Sequence, residues 1–135
     1  MKRLHFAVGL FAVLACSGLQ AQTKLEANIP FEFRMGESSF EAGSYVFDYS
    51  AHMLVVREEH GNRTAAMALM LPVSREKAPK TGIVEFNRYG ETYFLAAIWT
   101  PGSPDGGSLP KSAGEKEYAR RSTPGKVEAI VLKSK

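Results

Sequence analysis

Two histidines, His52 and His60, stand close in sequence to Glu58 and Glu59, the residue types that hold a metal ion. Zinc and its relatives need three or four such groups converging on one point. Here a short β-rich run, Met53 to Arg57, separates the histidines, so they bracket an element instead of sharing a face and read as loop residues. Glu58 and Glu59 are neighbours along a strand, point to opposite sides, and make no acid–base pair. A nucleophile fares no better. Gly102-Ser103-Pro104-Asp105-Gly106 echoes the Gly-x-Ser-x-Gly elbow, but Pro104 and the breakers around it fit a turn, and Cys16 is the only cysteine. Gly106-Gly107 lacks the following Lys-Ser or Lys-Thr of a phosphate loop, and Asp105 offers calcium one carboxylate where about six ligands are needed. The expectation is a protein that is not an enzyme, with no catalytic, cofactor-binding or metal-ligating residues.

Aromatic residues are the richer resource: Phe31, Phe33, Tyr45, Phe47, Tyr49, Phe86, Tyr93, Phe94 and Trp99. Ordinary core packing is one use for them. The other is an apolar pocket for a lipid or similar hydrophobic small molecule, rimmed by Arg88 or Tyr89. For partner contact the sequence singles out the hairpin tip Arg88-Tyr89-Gly90-Glu91, because Arg and Tyr serve interfaces well, and Phe31 on an edge strand running from Ile29 to Phe33. The charges of Arg88 and Glu91 would equally serve only to pin the turn.

The elements that must position these residues are strands. From Lys24 to Met35, Leu25, Ala27, Ile29, Phe31, Phe33 and Met35 alternate with polar residues, the period of a strand with one wet face. Pro30 cannot donate a ladder hydrogen bond and predicts an edge or a bulge there. Tyr45 to Tyr49, Met53 to Arg57 and Thr64 to Leu71 follow, the last with Ala66, Ala68 and Met70 on one side and Ala65, Met67, Leu69 and Leu71 on the other. Pro72 to Lys80 reads as a polar loop. Ile83 to Arg88 and Thr92 to Thr100 form a hairpin about Tyr89-Gly90, placing Val84, Phe86, Tyr93, Leu95, Ala97 and Trp99 on a common face. Pro101 to Pro110 reads as a surface loop, Ser112 with Glu115 has capping-box spacing for a short helix through Arg121, and Lys126 to Lys133 supplies a last strand. The fold class is all-β with one short helix, a small antiparallel β-sandwich or barrel of about seven strands.

Composition sets the compartment and the partners. The 135 residues, 44% hydrophobic and 23% charged, exclude disorder and a multi-span membrane protein. Met1 to Ala21 has a basic end at Lys2 and Arg3 and an apolar stretch from Leu4 to Ala15, the pattern of a secretory signal, which leaves 22–135 as a single β domain. The alternative is lipoprotein processing at Val13-Leu14-Ala15-Cys16, and a membrane association is expected only if Cys16 is acylated. Without Lys2 and Arg3 the 17 basic residues fall to 15 against 14 acidic ones, so the formal charge drops from +3 to +1 and a nucleic-acid partner is not expected. A periplasmic or secreted location follows, with a protein or envelope component as partner.

Several segments taken together carry a resemblance: Asn28-Ile29-Pro30-Phe31-Glu32-Phe33, Ala42-Gly43-Ser44-Tyr45, Phe86-Asn87-Arg88-Tyr89-Gly90-Glu91-Thr92-Tyr93-Phe94-Leu95, and Leu109-Pro110-Lys111-Ser112. The chain resembles a family of small exported proteins common in acidobacteria. In that family a Leu-Pro usually precedes the Ala-Gly turn, where this chain has Phe40-Glu41. The resemblance implies export and a β fold and transfers no activity and no site residues.

Overall fold

The computed structural model describes residues 23–60 and 64–134. The leader, its cleavage after Ala21 and the alternative acylation at Cys16 lie outside the described residues. In chain order the elements are β1 (Thr23–Ile29), β2 (Phe33–Met35), β3 (Ser38–Phe40), β4 (Gly43–Ser50), β5 (Met53–Glu58) and β6 (Thr64–Leu69). They continue as β7 (Leu71–Ser74), β8 (Gly82–Tyr89), β9 (Thr92–Trp99), β10 (Asp105–Ser108), α1 (Ala113–Arg121) and β11 (Gly125–Ser134).

Pairing runs β3-β2-β9-β8-β11-β1-β4-β5-β6, with β10 joined to β9 and β7. The path ends at β3 and β6 and does not close, so the all-β fold is a sandwich and not a barrel. Two layers face each other across the core. β1, β4, β5 and β6 form one, and β8, β9, β10, β7, β2 and β3 the other. β11 belongs to both: it pairs with β8 from Gly125 to Leu132, across a register shift after Ala129, and its end, Lys133 and Ser134, pairs with the start of β1.

The long alternating segment is divided at Pro30. β1 is flanked by β11 only at Leu25 and Glu26 and pairs with β4 along its whole length, so Ile29 is paired on one side, and the expected single strand from Ile29 to Phe33 is instead two strands in different layers. The missing N–H of Pro30 ends the ladder, the chain crosses to the other layer, and Phe33 resumes pairing alongside Tyr93 in the one parallel contact among the described strands. Alternation survives the crossing: Leu25, Ala27, Ile29, Phe33 and Met35 are all buried in one cluster with Phe47, Leu54, Val56, Phe86 and Ile98.

Three further readings change. The β8–β9 turn is Gly90-Glu91, not Tyr89-Gly90, since Tyr89 pairs with Thr92 and Gly90 takes the positive φ of 64° at the first turn position. A bulge then places Glu85 opposite Ala97 but Phe86 opposite Leu95, leaving Ala96 as the extra residue. Leu95 and Ile98 therefore both join the core, while Ala97 and Trp99 are buried outside that cluster instead of sharing the face of Val84 and Phe86. The segments read as loops at 72–80 and 101–110 each contain a strand, β7 and β10, which pair with each other from Asp105↔Ser74 to Ser108↔Leu71. With β2 and β3 these short strands raise the number to eleven.

Candidate functional site

β6 is the last strand of its layer, and its sequence, Thr-Ala-Ala-Met-Ala-Leu, holds none of the Lys or Pro residues that usually blunt a sheet edge. Its register against β5, Leu54↔Ala68 and Val56↔Ala66, turns Ala66 and Ala68 toward the core. Met70, 3% exposed, locks that parity as its N–H donates to the carbonyl of His52 at 2.7 Å. The larger side chains consequently point outward: Met67 is 59% exposed and Leu69 70%, followed by Leu71 at 56%. An apolar row on an unpaired edge is the feature that soluble domains ordinarily avoid.

A groove of about 600 Å³ runs beside this edge. One wall is β6 itself. The opposite wall contains Met35, Phe94, Leu95, Leu109, Lys111 and Glu115. Its origin lies in β9, which pairs with β2 only as far as Phe94 and with β10 only from Ala97 onward. Between them the Leu109 N–H reaches the Ala96 carbonyl at 2.7 Å, and a notch remains over Leu95.

Glu115 is the only buried charged residue in the described core, 4% exposed. The Ser112 hydroxyl caps α1 by accepting its N–H at 3.1 Å, so the capping spacing is real, but the carboxylate does not return to Ser112. Its Oε2 accepts instead from the Tyr89 hydroxyl at 2.9 Å and from Asn87 Nδ2 at 3.0 Å. Burial, together with donation to Glu115, pushes the Tyr89 hydroxyl up to about 12. Burial is also the first cause of the upward shifts of Tyr45 and Tyr49. Around the pair, Phe94 and Tyr118 pack edge to face or tilted on Tyr89, and the Arg34 guanidinium lies 5.6 Å from the Tyr118 ring.

The residues expected to contact a partner do not form one surface. Tyr89 is 2% exposed and faces α1, which corrects its placement at an exposed tip. Phe31 is half-buried, stacked on Tyr93 with centroids 3.9 Å apart and edge-on to Phe86. Arg88 and Glu91 are exposed, but Arg88 donates from Nε to the Gly90 carbonyl at 2.7 Å and covers Tyr93, so it secures the turn. His52 sits in the β4–β5 turn and His60 beyond the far end of β5, at opposite ends of the strand. Ser103 is committed to its own turn, its hydroxyl accepting the Asp105 N–H at 3.2 Å. Among the described residues no group of three or more metal-ligating side chains converges, and no helix is long and apolar enough to cross a membrane.

Searches of family models, curated proteins and solved structures gave no match to this chain. The site therefore rests on geometry. The β6 edge was missed in the sequence because Ala, Met and Leu are apolar on both sides of the strand; the signal present was a charge-free run without Pro. Glu115 carried one signal, its capping position, and that signal concerned its backbone N–H rather than its carboxylate.

Proposed function

We propose that this chain is an exported, non-catalytic interaction domain that binds an extended segment of a protein partner along β6. The single observation that carries the reading is the pair Met67 and Leu69, both more than half exposed, on the edge strand β6, which contains no Lys or Pro. Export is supported by the basic and apolar pattern of Met1 to Ala21 and by the resemblance to the small exported family. The dispersal of His52, His60 and Ser103 supports a binding role over a chemical one. A carrier of a hydrophobic molecule would draw on the same groove and is the second reading, but the groove is open along β6 and suits an extended chain better than an enclosed ligand.

The test is the double substitution Met67→Glu and Leu69→Glu. Both side chains are exposed, so folding stability is expected to change by less than about 0.5 kcal/mol per site. Crosslinked capture of an envelope partner is expected to fall at least tenfold, roughly, as an apolar contact row becomes charged. Unchanged capture by the folded double variant contradicts the reading.

A further inference from the structure

We propose that the groove beside β6 receives a polypeptide strand whose inward side chains are apolar except for one basic residue, which reaches Oε1 of Glu115. The inference deepens the strand-addition reading and depends on it. Three observations fix the chemistry of the occupant.

The first is the space itself. β5 presents the fully buried Leu54 and Val56 to the core, whereas β6 offers only Ala66 and Ala68, both half-buried. An added strand would set its inward side chains about 5 Å from these alanines, over the notch at Leu95 and Leu109. Apolar groups fit there. They would complete a layer interface that β6 leaves thin.

The second is the carboxylate on the opposite wall. Oε2 of Glu115 takes both donors, Tyr89 and Asn87, and among the described residues Oε1 takes none. The backbone is held at the same residue by the Ser112 cap, so the group is fixed on both sides. A nine-tenths-buried carboxylate with one free oxygen on a groove wall favours an incoming cation, because charge-assisted hydrogen bonds are about twice as strong as neutral ones. An arginine presents five donors in a planar fork and sheds its water more readily than a lysine.

The third is the balance of charge around the groove. Glu37 and Glu115 line it against the single cation Lys111. Lys111 is exposed and makes no hydrogen bond among those of the described residues, so engaging it would cost rotamer entropy that Glu115 does not incur.

The probe is a fluorescently labelled peptide with a stretch as long as β6, 6 residues, of alternating valine and threonine, with arginine replacing the central inward valine. Matched peptides carry norleucine or glutamate at that place, and another carries N-methyl groups on its ladder amides. Anisotropy titrations on the full chain are expected to show the arginine peptide binding about tenfold tighter than the norleucine one, with the glutamate and N-methylated peptides weaker still. Glu115→Gln keeps acceptors for Tyr89 and Asn87 and is expected to bring the arginine peptide down to the norleucine level. Equal binding of the arginine and norleucine peptides to the unaltered chain overturns the role of Glu115 and leaves the strand-addition reading standing. Equal binding of the N-methylated peptide overturns both. A chain that sediments as a dimer and excludes every peptide overturns the proposal by placing a second copy in the groove. Should Glu115→Gln fail to fold, the peptide series on the unaltered chain decides alone.

Discussion

Gly106→Ala is expected to destabilise the domain by about 3 kcal/mol and lower Tm by roughly 12 °C. A Cβ at this position would lie 2.5 Å from the Ile98 carbonyl oxygen and 2.6 Å from Cε3 of Trp99. The first of these is backbone, in the strand that Gly106 pairs with, so relief requires β10 to move away from β9 and breaks the ladder at Trp99. The indole has little freedom either, being 6% exposed with the Arg75 guanidinium over its ring at 4.8 Å. Gly125→Ala is the control. Its Cβ would meet only the Arg88 carbonyl at 3.8 Å, ordinary contact, and the change is expected to stay within about 0.5 kcal/mol. Chemical denaturation of both variants checks the pair; similar midpoints would show that β10 is not packed as described.

A second large effect appears with alkali. Tyr89 is held protonated in the fold to about 12, against an ordinary value of 10 when unfolded. Between these values the unfolded chain releases the proton first, so the folded form binds more protons and stability falls as pH rises. The contribution is fully present below pH 10, and the loss reaches about 2 kcal/mol by pH 12. Tyr45 and Tyr49 shift in the same direction and add to the slope. Tyr89→Phe separates its share. At pH 8 the variant leaves Oε2 of Glu115 with only Asn87 as donor and is expected to be about 2 kcal/mol less stable. Towards pH 12 that difference is expected to vanish. Parallel stability curves for the two proteins across this range would contradict the buried Tyr89–Glu115 contact.

How far such features can be read from sequence depends on whether a side chain or a backbone decides them. Leu25, Ala27, Ile29, Phe33 and Met35 are legible because alternation sorts them between core and water, and the same rule places Tyr45 and Phe47 inside. Pro30 announces a break but not its kind, since a missing N–H fits an edge, a bulge or a crossing between layers equally well. β10 is illegible for the opposite reason. Asp-Gly-Gly-Ser has turn composition, and only the close approach of Ile98, Trp99, Tyr49 and Met70 explains why it is a strand with buried glycines. The turn between β4 and β5 also carries no sequence signal. Ala51 and His52 both adopt positive φ, 48° and 64°, at positions where Asn-Gly would ordinarily mark a two-residue hairpin.

The site was legible in the same partial way. The pattern separates Ala66, Ala68 and Met70 from Met67, Leu69 and Leu71, but chooses no inward side, because the outward set is the more apolar by volume. Met70 and the β5 register make that choice, and both are long-range facts. For Tyr89, the shift of the turn to Gly90-Glu91 carries the residue from the tip into the ladder beneath α1. The proposed contact surface accordingly lies at β6, where Met67 and Leu69 are exposed, and not at the hairpin tip.

Amide hydrogen exchange on the full chain, with and without the arginine peptide, tests that placement most directly. Strand addition along β6 predicts new protection at outward-facing amides from Thr64 to Leu69, with little change at the Gly90-Glu91 turn or at β3, the other end of the path. Protection centred on Arg88 to Glu91 or on β3, with β6 unchanged, would contradict the account.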